Sequence, residues 1–185
     1  MRLFIASPLT AEIEETLAEI IFDLKQKRGR VKWVDAKNIH LTLKFLGETD
    51  EIKVEPIKSA IQQIAARHNK IDSSINKVGV FPNLNRPRVI WVGLSEGIDA
   101  LKALARDTEN EMANLGFEIE KRPFKSHLTL GRVKDDAGLY DLKEAIKSFE
   151  LKPQAMTFDK IILFKSTLTP SGPIYDRLFE ANLAV

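Results

Sequence analysis

Two identical tetrapeptides carry the residues best suited to chemistry. His40-Leu41-Thr42-Leu43 returns letter for letter as His127-Leu128-Thr129-Leu130, an offset of 127 − 40 = 87 residues, in a chain with only three histidines. Successive side chains of a strand point to opposite faces, so each copy sends its His and Thr one way and its leucines the other. The leucines can enter a core while an imidazole and a hydroxyl stand together. A core has no need of the same two polar residues twice, so the pair reads as a site. Two imidazoles facing each other supply a base and an acid in one turnover, because an ordinary pKa of about 6.5 lets one be neutral and the other protonated. The threonine hydroxyls suit the non-bridging oxygens of a phosphate. No carboxylate stands in either motif, which favours an anionic substrate. Phosphodiester cleavage fits: one His deprotonates water, the other protonates the leaving oxygen, and Thr42 and Thr129 hold the phosphoryl group as charge builds. The symmetry of the motifs leaves open which His plays which part.

Other residues invite weaker readings. Arg132 follows His127 by five positions; strict alternation puts it on the leucine face, and it reaches the site only if the strand bulges near Gly131. Lys44 shares the His40/Thr42 face by alternation, although a lysine at a strand end is usually a solvated charge. Phe4, Phe45 and Trp91 can stack on a base, but aromatics in apolar strands more often belong to the core, and alternation points Phe45 with Leu41 and Leu43. His68 sits at a helix C-terminus, where a packing or dipole role is expected. The basic runs 25–32 and 121–125 lie just upstream of the two motifs. Each reads first as solvated surface, and both suit a rim that guides an RNA backbone.

Composition removes several classes. With no cysteine there is no thiolate zinc site, disulfide or cysteine nucleophile. Three histidines without H-E-x-x-H spacing speak against a metal centre, and no glycine-rich nucleotide loop is present, so no metal and no cofactor is expected. The formal net charge of +2 permits an anionic ligand without demanding nucleic acid. No apolar run approaches the ~18 residues of a membrane span. The apolar part of the N-terminus is too short for a signal peptide, so a cytoplasmic protein without a membrane partner is expected.

The elements that must hold the motifs follow from periodicity and punctuation. Residues 2–7 read as a strand. Thr10 can cap a helix whose buried face is Ile13, Leu17, Ile20, Ile21 and Leu24, stopped at Gly29. A short strand at 31–34 and a turn at 35–38 precede the first motif strand, 39–46. A helix over about 51–68, starting nearer 55 because of Pro56, buries Ile57, Ile61, Ile64 and Ala65. Strands at 75–81 and 88–94 flank a loop at 82–87. Ser95 can cap a helix over about 97–115. A strand near 117–121 leads to the second motif strand, 126–133. A helix over 139–149, a strand at 158–165, a turn at 170–173 and a strand at 174–180 complete the chain.

The repeat extends beyond the tetrapeptides. Phe4 precedes His40 by 36 residues, and Trp91 precedes His127 by the same 36. Each half, about 1–84 and 85–185, reads strand, helix, His-x-Thr strand, helix, strand. The expectation is an α+β protein: one domain over 1–185, a two-lobed pseudo-twofold duplicate of a β-α-β-α-β unit. Mainly antiparallel sheets should line a central cleft, with helices outside.

The doubled motif, the Arg2-Leu3-Phe4-Ile5-Ala6 start, Phe81-Pro82, Arg88-Val89-Ile90-Trp91 and Gly172-Pro173-Ile174-Tyr175 together resemble the 2H phosphoesterases, in particular the RNA 2′,3′-cyclic phosphodiesterases also called 2′-5′ RNA ligases. The resemblance spans the chain. It implies hydrolysis of RNA 2′,3′-cyclic phosphate ends to a 2′-phosphate, and a reversible 2′-5′ joining of tRNA halves; a monomer is expected. It also implies that His40 is the proton donor and His127 the proton acceptor, with Thr42, Thr129 and Arg132 on the phosphate. Two alternatives stand beside it: a phosphodiesterase for small cyclic nucleotides or ADP-ribose cyclic phosphate, and a non-catalytic RNA- or nucleotide-binding module.

Overall fold

A computed structural model describes residues 1–185. Strand β1 (Arg2–Ser7) leads into α1 (Ala11–Lys25); Thr10 holds the N-cap position with extended backbone, without a side-chain capping bond, and the predicted face Ile13, Leu17, Ile20, Ile21 and Leu24 is buried. Each such side chain removed from water contributes about 1.5–3 kcal/mol. Next come β2 (Val31–Trp33), a 3-10 turn, β3 (Leu41–Glu48) and α2 (Val54–Arg67), which Pro56 enters in its first turn. Then follow β4 (Ile71–Phe81), β5 (Val89–Leu94), α3 (Ile98–Asn114), β6 (His127–Val133) and α4 (Tyr140–Lys147), and finally β7 (Gln154–Phe158), β8 (Lys160–Thr169) and β9 (Gly172–Asn182).

The strands form two sheets, ordered β3-β1-β8-β9 and β2-β6-β5-β4-β7, in which every pairing is antiparallel. Each motif strand lies beside the first strand of its own half, β3 on β1 and β6 on β5. The closing strands are exchanged: β4 joins the second sheet and β8 the first. The two halves are therefore sewn together. Leu3, Leu17, Leu41, Ile57, Leu101, Leu128, Leu142 and Leu163 all belong to one continuous core of 37 buried residues. Helix α3 bridges the sheets, packing on β3 of the first and β4 of the second. The opposite face of the first sheet carries a separate cluster of Phe4, Ala6, Ile162 and Phe164, against which Tyr175 packs.

Four local expectations need correction. Residues 117–121 form no strand; side chains hold the segment instead, with Glu120 N–H donating to Glu109 and the Glu118 carbonyl accepting from Lys44. Strand β4 begins four residues earlier than 75, and β7 is an additional strand, because the two pair with each other from Ile71–Phe158 to Ile75–Gln154. Polar Asp72, Ser73, Ser74 and Gln154 hid both from a hydrophobic pattern. Ser95 does not cap α3, which starts after Gly97 at φ +67°. The Ser95 hydroxyl is bonded to that of Ser74.

Candidate active site

Both motif strands share an irregularity. In β3, Ala6 faces Thr42 and Ile5 faces Lys44, leaving Leu43 extra; in β6, Trp91 faces Thr129 and Ile90 faces Gly131, leaving Leu130 extra. A bulge at the fourth residue of the repeat resets the alternation. Burial shows the result, since Leu41 to Leu46 and Leu128 to Val133 both read buried, partial, buried, buried, exposed, buried. The leucines enter the core as expected. The residue five after each His emerges on the His/Thr side: Arg132 in the second strand and Phe45 in the first.

Two of the weaker readings change accordingly. Phe45 does not point with Leu41 and Leu43; it is 65% exposed and its ring lies 6.1 Å from that of Phe4. Lys44 leaves the His40/Thr42 face for the interior, where it is only 6% exposed and pairs with Glu109. Strand β3 lies at its sheet's edge, which gives the lysine room to reach α3 and the Glu118 carbonyl. The same position in β6 is Gly131. Strand β2 covers that flank, and a Cβ there would meet Val31 Cγ1 at 2.7 Å and Trp33 at 3.0 Å.

The imidazoles are held alike. His40 Nδ1 lies 2.8 Å from the Asn38 carbonyl, and His127 Nδ1 lies 2.7 Å from the Lys125 carbonyl, in each case two residues upstream. A carbonyl only accepts, so each Nδ1 carries hydrogen and each Nε2 is free for a ligand. Aromatic rings fix the orientation. His40 stacks on Phe4 with centroids 4.8 Å apart, and the Tyr175 ring meets it edge-on at 5.5 Å. His127 meets Phe81 edge-on at 5.1 Å. The Thr42 and Thr129 hydroxyls bond to no other protein group, unlike those of Thr16, Thr49, Thr108, Thr157 and Thr169.

Electrostatics links the sheets. Burial pushes His40 down to about 4, against the smaller upward pull of its Asn38 hydrogen bond. Burial also lowers His127, aided by the charges of Arg132 and Lys125 and opposed by the Lys125 carbonyl. Tyr175 is raised by burial, while Arg2 and Arg132 pull it down. Arg132 on the second sheet therefore acts on His127 beside it and on Tyr175, the ring that packs against His40. From sequence Tyr175 stands only in the Gly172–Tyr175 turn, with no role at the site. The β8–β9 hairpin brings it in, tethered where Asn38 Nδ2 donates to the Pro173 carbonyl at 3.3 Å, and nothing local to residue 175 announces that contact. His68 lies elsewhere, with Nε2 2.9 Å from Asp107 in a pair between α2 and α3.

Each sheet thus presents one imidazole with a free Nε2 and one unengaged threonine hydroxyl, and the second adds the Arg132 guanidinium, groups suited to holding an oxyanion and moving protons. Known proteins resemble the chain over its whole length. A family model described as LigT-like phosphoesterase matches twice, over residues 8–91 and 92–175, one motif in each match. A Thermotoga maritima protein named RNA 2′,3′-cyclic phosphodiesterase is 34% identical over 98% of this chain and 95% of its own length. An Archaeoglobus fulgidus protein of the same name is 37% identical over 97% of this chain and its full length. Among solved structures, a Thermus thermophilus protein superposes with a TM-score of 0.82 at 27% identity, covering 99% of this chain and 98% of that one. E. coli LigT complexed with 3′-AMP superposes with a TM-score of 0.79 at 25% identity, covering 100% and 98%. No helix is long and apolar enough to cross a membrane.

Proposed function

Because the chain belongs to the LigT-like phosphoesterase family, we propose that it hydrolyses 2′,3′-cyclic phosphates at RNA ends and that His40 and His127 perform the proton transfers. The observation that carries this reading is the doubled anchoring of Nδ1, which leaves two equivalent Nε2 atoms beside two unengaged threonine hydroxyls. Water attacks phosphorus as His127 takes its proton. The bond from phosphorus to the 3′ oxygen breaks as His40 supplies a proton to that oxygen. The products are a 2′-phosphomonoester and a 3′-hydroxyl. Thr42, Thr129 and Arg132 hold the non-bridging oxygens, where charge accumulates. No step calls for a metal ion. The 5′-hydroxyl of a second RNA fragment, such as the other half of a cut tRNA, can take the place of water, which yields a 2′-5′ linkage. One chain carries both histidines, so a monomer suffices.

The division of roles follows the family resemblance, and the electrostatics of the protein alone work against it. A proton donor has to be protonated, yet burial holds His40 near 4. In this mechanism the negative phosphate supplies the missing stabilisation, since an anion against the ring favours the imidazolium. The test is incubation with an oligonucleotide ending in a 2′,3′-cyclic phosphate, followed by identification of the hydroxyl that keeps the phosphate. A 2′-phosphate product formed in EDTA, and lost in His40→Ala and in His127→Ala, is expected. Near-wild-type turnover in either variant overturns the two-histidine mechanism.

A further inference from the structure

The face of the second sheet that bears His127, Thr129 and Arg132 carries more than those three. Trp91 faces Thr129 on one side and Gly79 on the other, and Phe81 lies in the same sheet with its ring 4.9 Å from the indole. The indole occupies the space that side chains at two glycines would fill. A Cβ on Gly79 would stand 2.5 Å from its six-membered ring, and one on Gly93 would stand 3.0 Å from it. Those glycines let an aromatic plane rest flat on the strands. Lys77 Nζ lies 5.6 Å from the Trp91 ring and Lys125 Nζ lies 4.8 Å from the Phe81 ring.

The charge on this face is one-sided. Lys32 faces Arg132 across the β2–β6 ladder, and Lys77 shares the row of His127 and Gly93. None of Lys32, Lys77, Lys125 and Arg132 is ion-paired, whereas Arg30, Lys58, Arg67, Arg88 and Lys160 all have carboxylate partners. Unpaired cations interleaved with flat aromatic surface are the recognition chemistry of single-stranded nucleic acid: cations meet phosphates, and rings take bases of any sequence.

We propose that this face is a second nucleotide subsite, for the RNA nucleotide on the 5′ side of the one that bears the cyclic phosphate. Its base stacks on the Trp91–Phe81 surface, and the phosphate joining it to the terminal nucleotide lies between Lys77 and Lys125. Lys77 is two strands from β6, about 9–10 Å at ordinary strand spacing, and its long side chain shortens that gap toward the separation of successive phosphates. The chain is thereby an enzyme of RNA ends in preference to mononucleotides. This inference rests on the phosphodiesterase reading and extends it.

Wild type and two variants, Lys77→Ala/Lys125→Ala and Trp91→Leu, are assayed on cytidine 2′,3′-cyclic phosphate and on a hexanucleotide with the same terminal group. The wild type should prefer the hexanucleotide at least tenfold in kcat/KM. The double lysine variant should lose most of that preference, and its salt dependence should flatten by about 0.7 in the log–log slope for each phosphate no longer neutralised. Trp91→Leu should raise KM for the hexanucleotide more than for the mononucleotide. If Trp91→Leu does not fold, the lysine variant decides alone, because both lysines are exposed. Equal wild-type efficiency on the two substrates, or a preference unchanged in the lysine variant, overturns the subsite and leaves the phosphodiesterase reading standing. A wild type inactive on both substrates overturns that reading and the subsite with it.

Discussion

Strands β3 and β6 carry the same tetrapeptide, with His40 just ahead of β3 and His127 heading β6, and bulge at the same leucine, yet their surroundings differ. β3 is an edge strand, and its bulge sends Lys44 inward to Glu109 and Phe45 outward beside Phe4. β6 is flanked on both sides, so the fourth position after the histidine must be Gly131, and the fifth turns Arg132 to the His127/Thr129 face. One lobe thus surrounds its histidine with Phe4, Phe164 and Tyr175. The other surrounds its histidine with Phe81 and unpaired cations. The lesson is that a duplicated backbone can keep its two imidazoles symmetric while the positions just beyond them diverge. Aromatic rings stand on both sides, while the cations that act on an imidazole stand only beside His127.

The largest effect should come from removing either imidazole. His40→Ala and His127→Ala should each lower kcat by about 10³-fold, within the range for general acid or base groups; activity measured on a cyclic-phosphate oligonucleotide checks this. A substrate whose 3′ bridging oxygen is sulfur separates the two histidines, since a thiolate leaves without a proton. His40→Ala should recover about 10²-fold on that substrate while His127→Ala should not, and rescue of His127→Ala instead would reverse the assignment. Next are the residues that differ between the lobes. Arg132→Met should lower kcat by about 10²-fold, as for loss of a group that stabilises developing charge. Phe45→Ala should raise KM a fewfold and spare kcat. Similar losses in kcat from the two would erase that difference between the lobes.

A separate effect concerns stability. His40 ordinarily titrates near 6.5, and burial brings it to about 4 in the folded chain. Above 6.5 both states are neutral and nothing changes. Between 6.5 and 4 the unfolded chain binds a proton that the folded chain does not, so stability falls as pH falls. The loss is at most about 3 kcal/mol, at 1.36 kcal/mol per unit. Urea unfolding at pH 7 and pH 4.5 should show the decline, and His40→Phe should flatten it. An unaltered profile in that variant would mean that acid acts elsewhere.

Much of the fold was legible because burial leaves a periodic trace. Ile13, Leu17, Ile20, Ile21 and Leu24 announced α1, and Leu41, Leu43, Leu128 and Leu130 announced the inward faces of the motif strands. Where polar residues interrupt the trace, as at Asp72 to Ser74 and Gln154, the strands went unseen, since their reason for existing is the partner strand. Residues 117–121 showed the converse error: Phe117 and Ile119 alternate like a strand, but no ladder receives them. Of the candidate site, His40, Thr42, His127 and Thr129 could be named from the doubled motif alone. The bulge beneath Arg132 was suggested by Gly131. Its counterpart beneath Phe45 carries no glycine, which is why that ring was assigned to the wrong face.

The amino-acid sequence by itself determined that two equivalent strands each hold a histidine and a threonine over a pair of buried leucines, because alternation and repetition are local properties of a chain. Only the tertiary structure decided what stands around them. The exchange of β4 and β8, the extra residue in each ladder, the carbonyls that hold Nδ1 and the arrival of Tyr175 all depend on pairings between distant segments. Such pairings form when the whole core closes, since the gain that offsets the entropy of joining remote segments is the burial of one shared apolar interior.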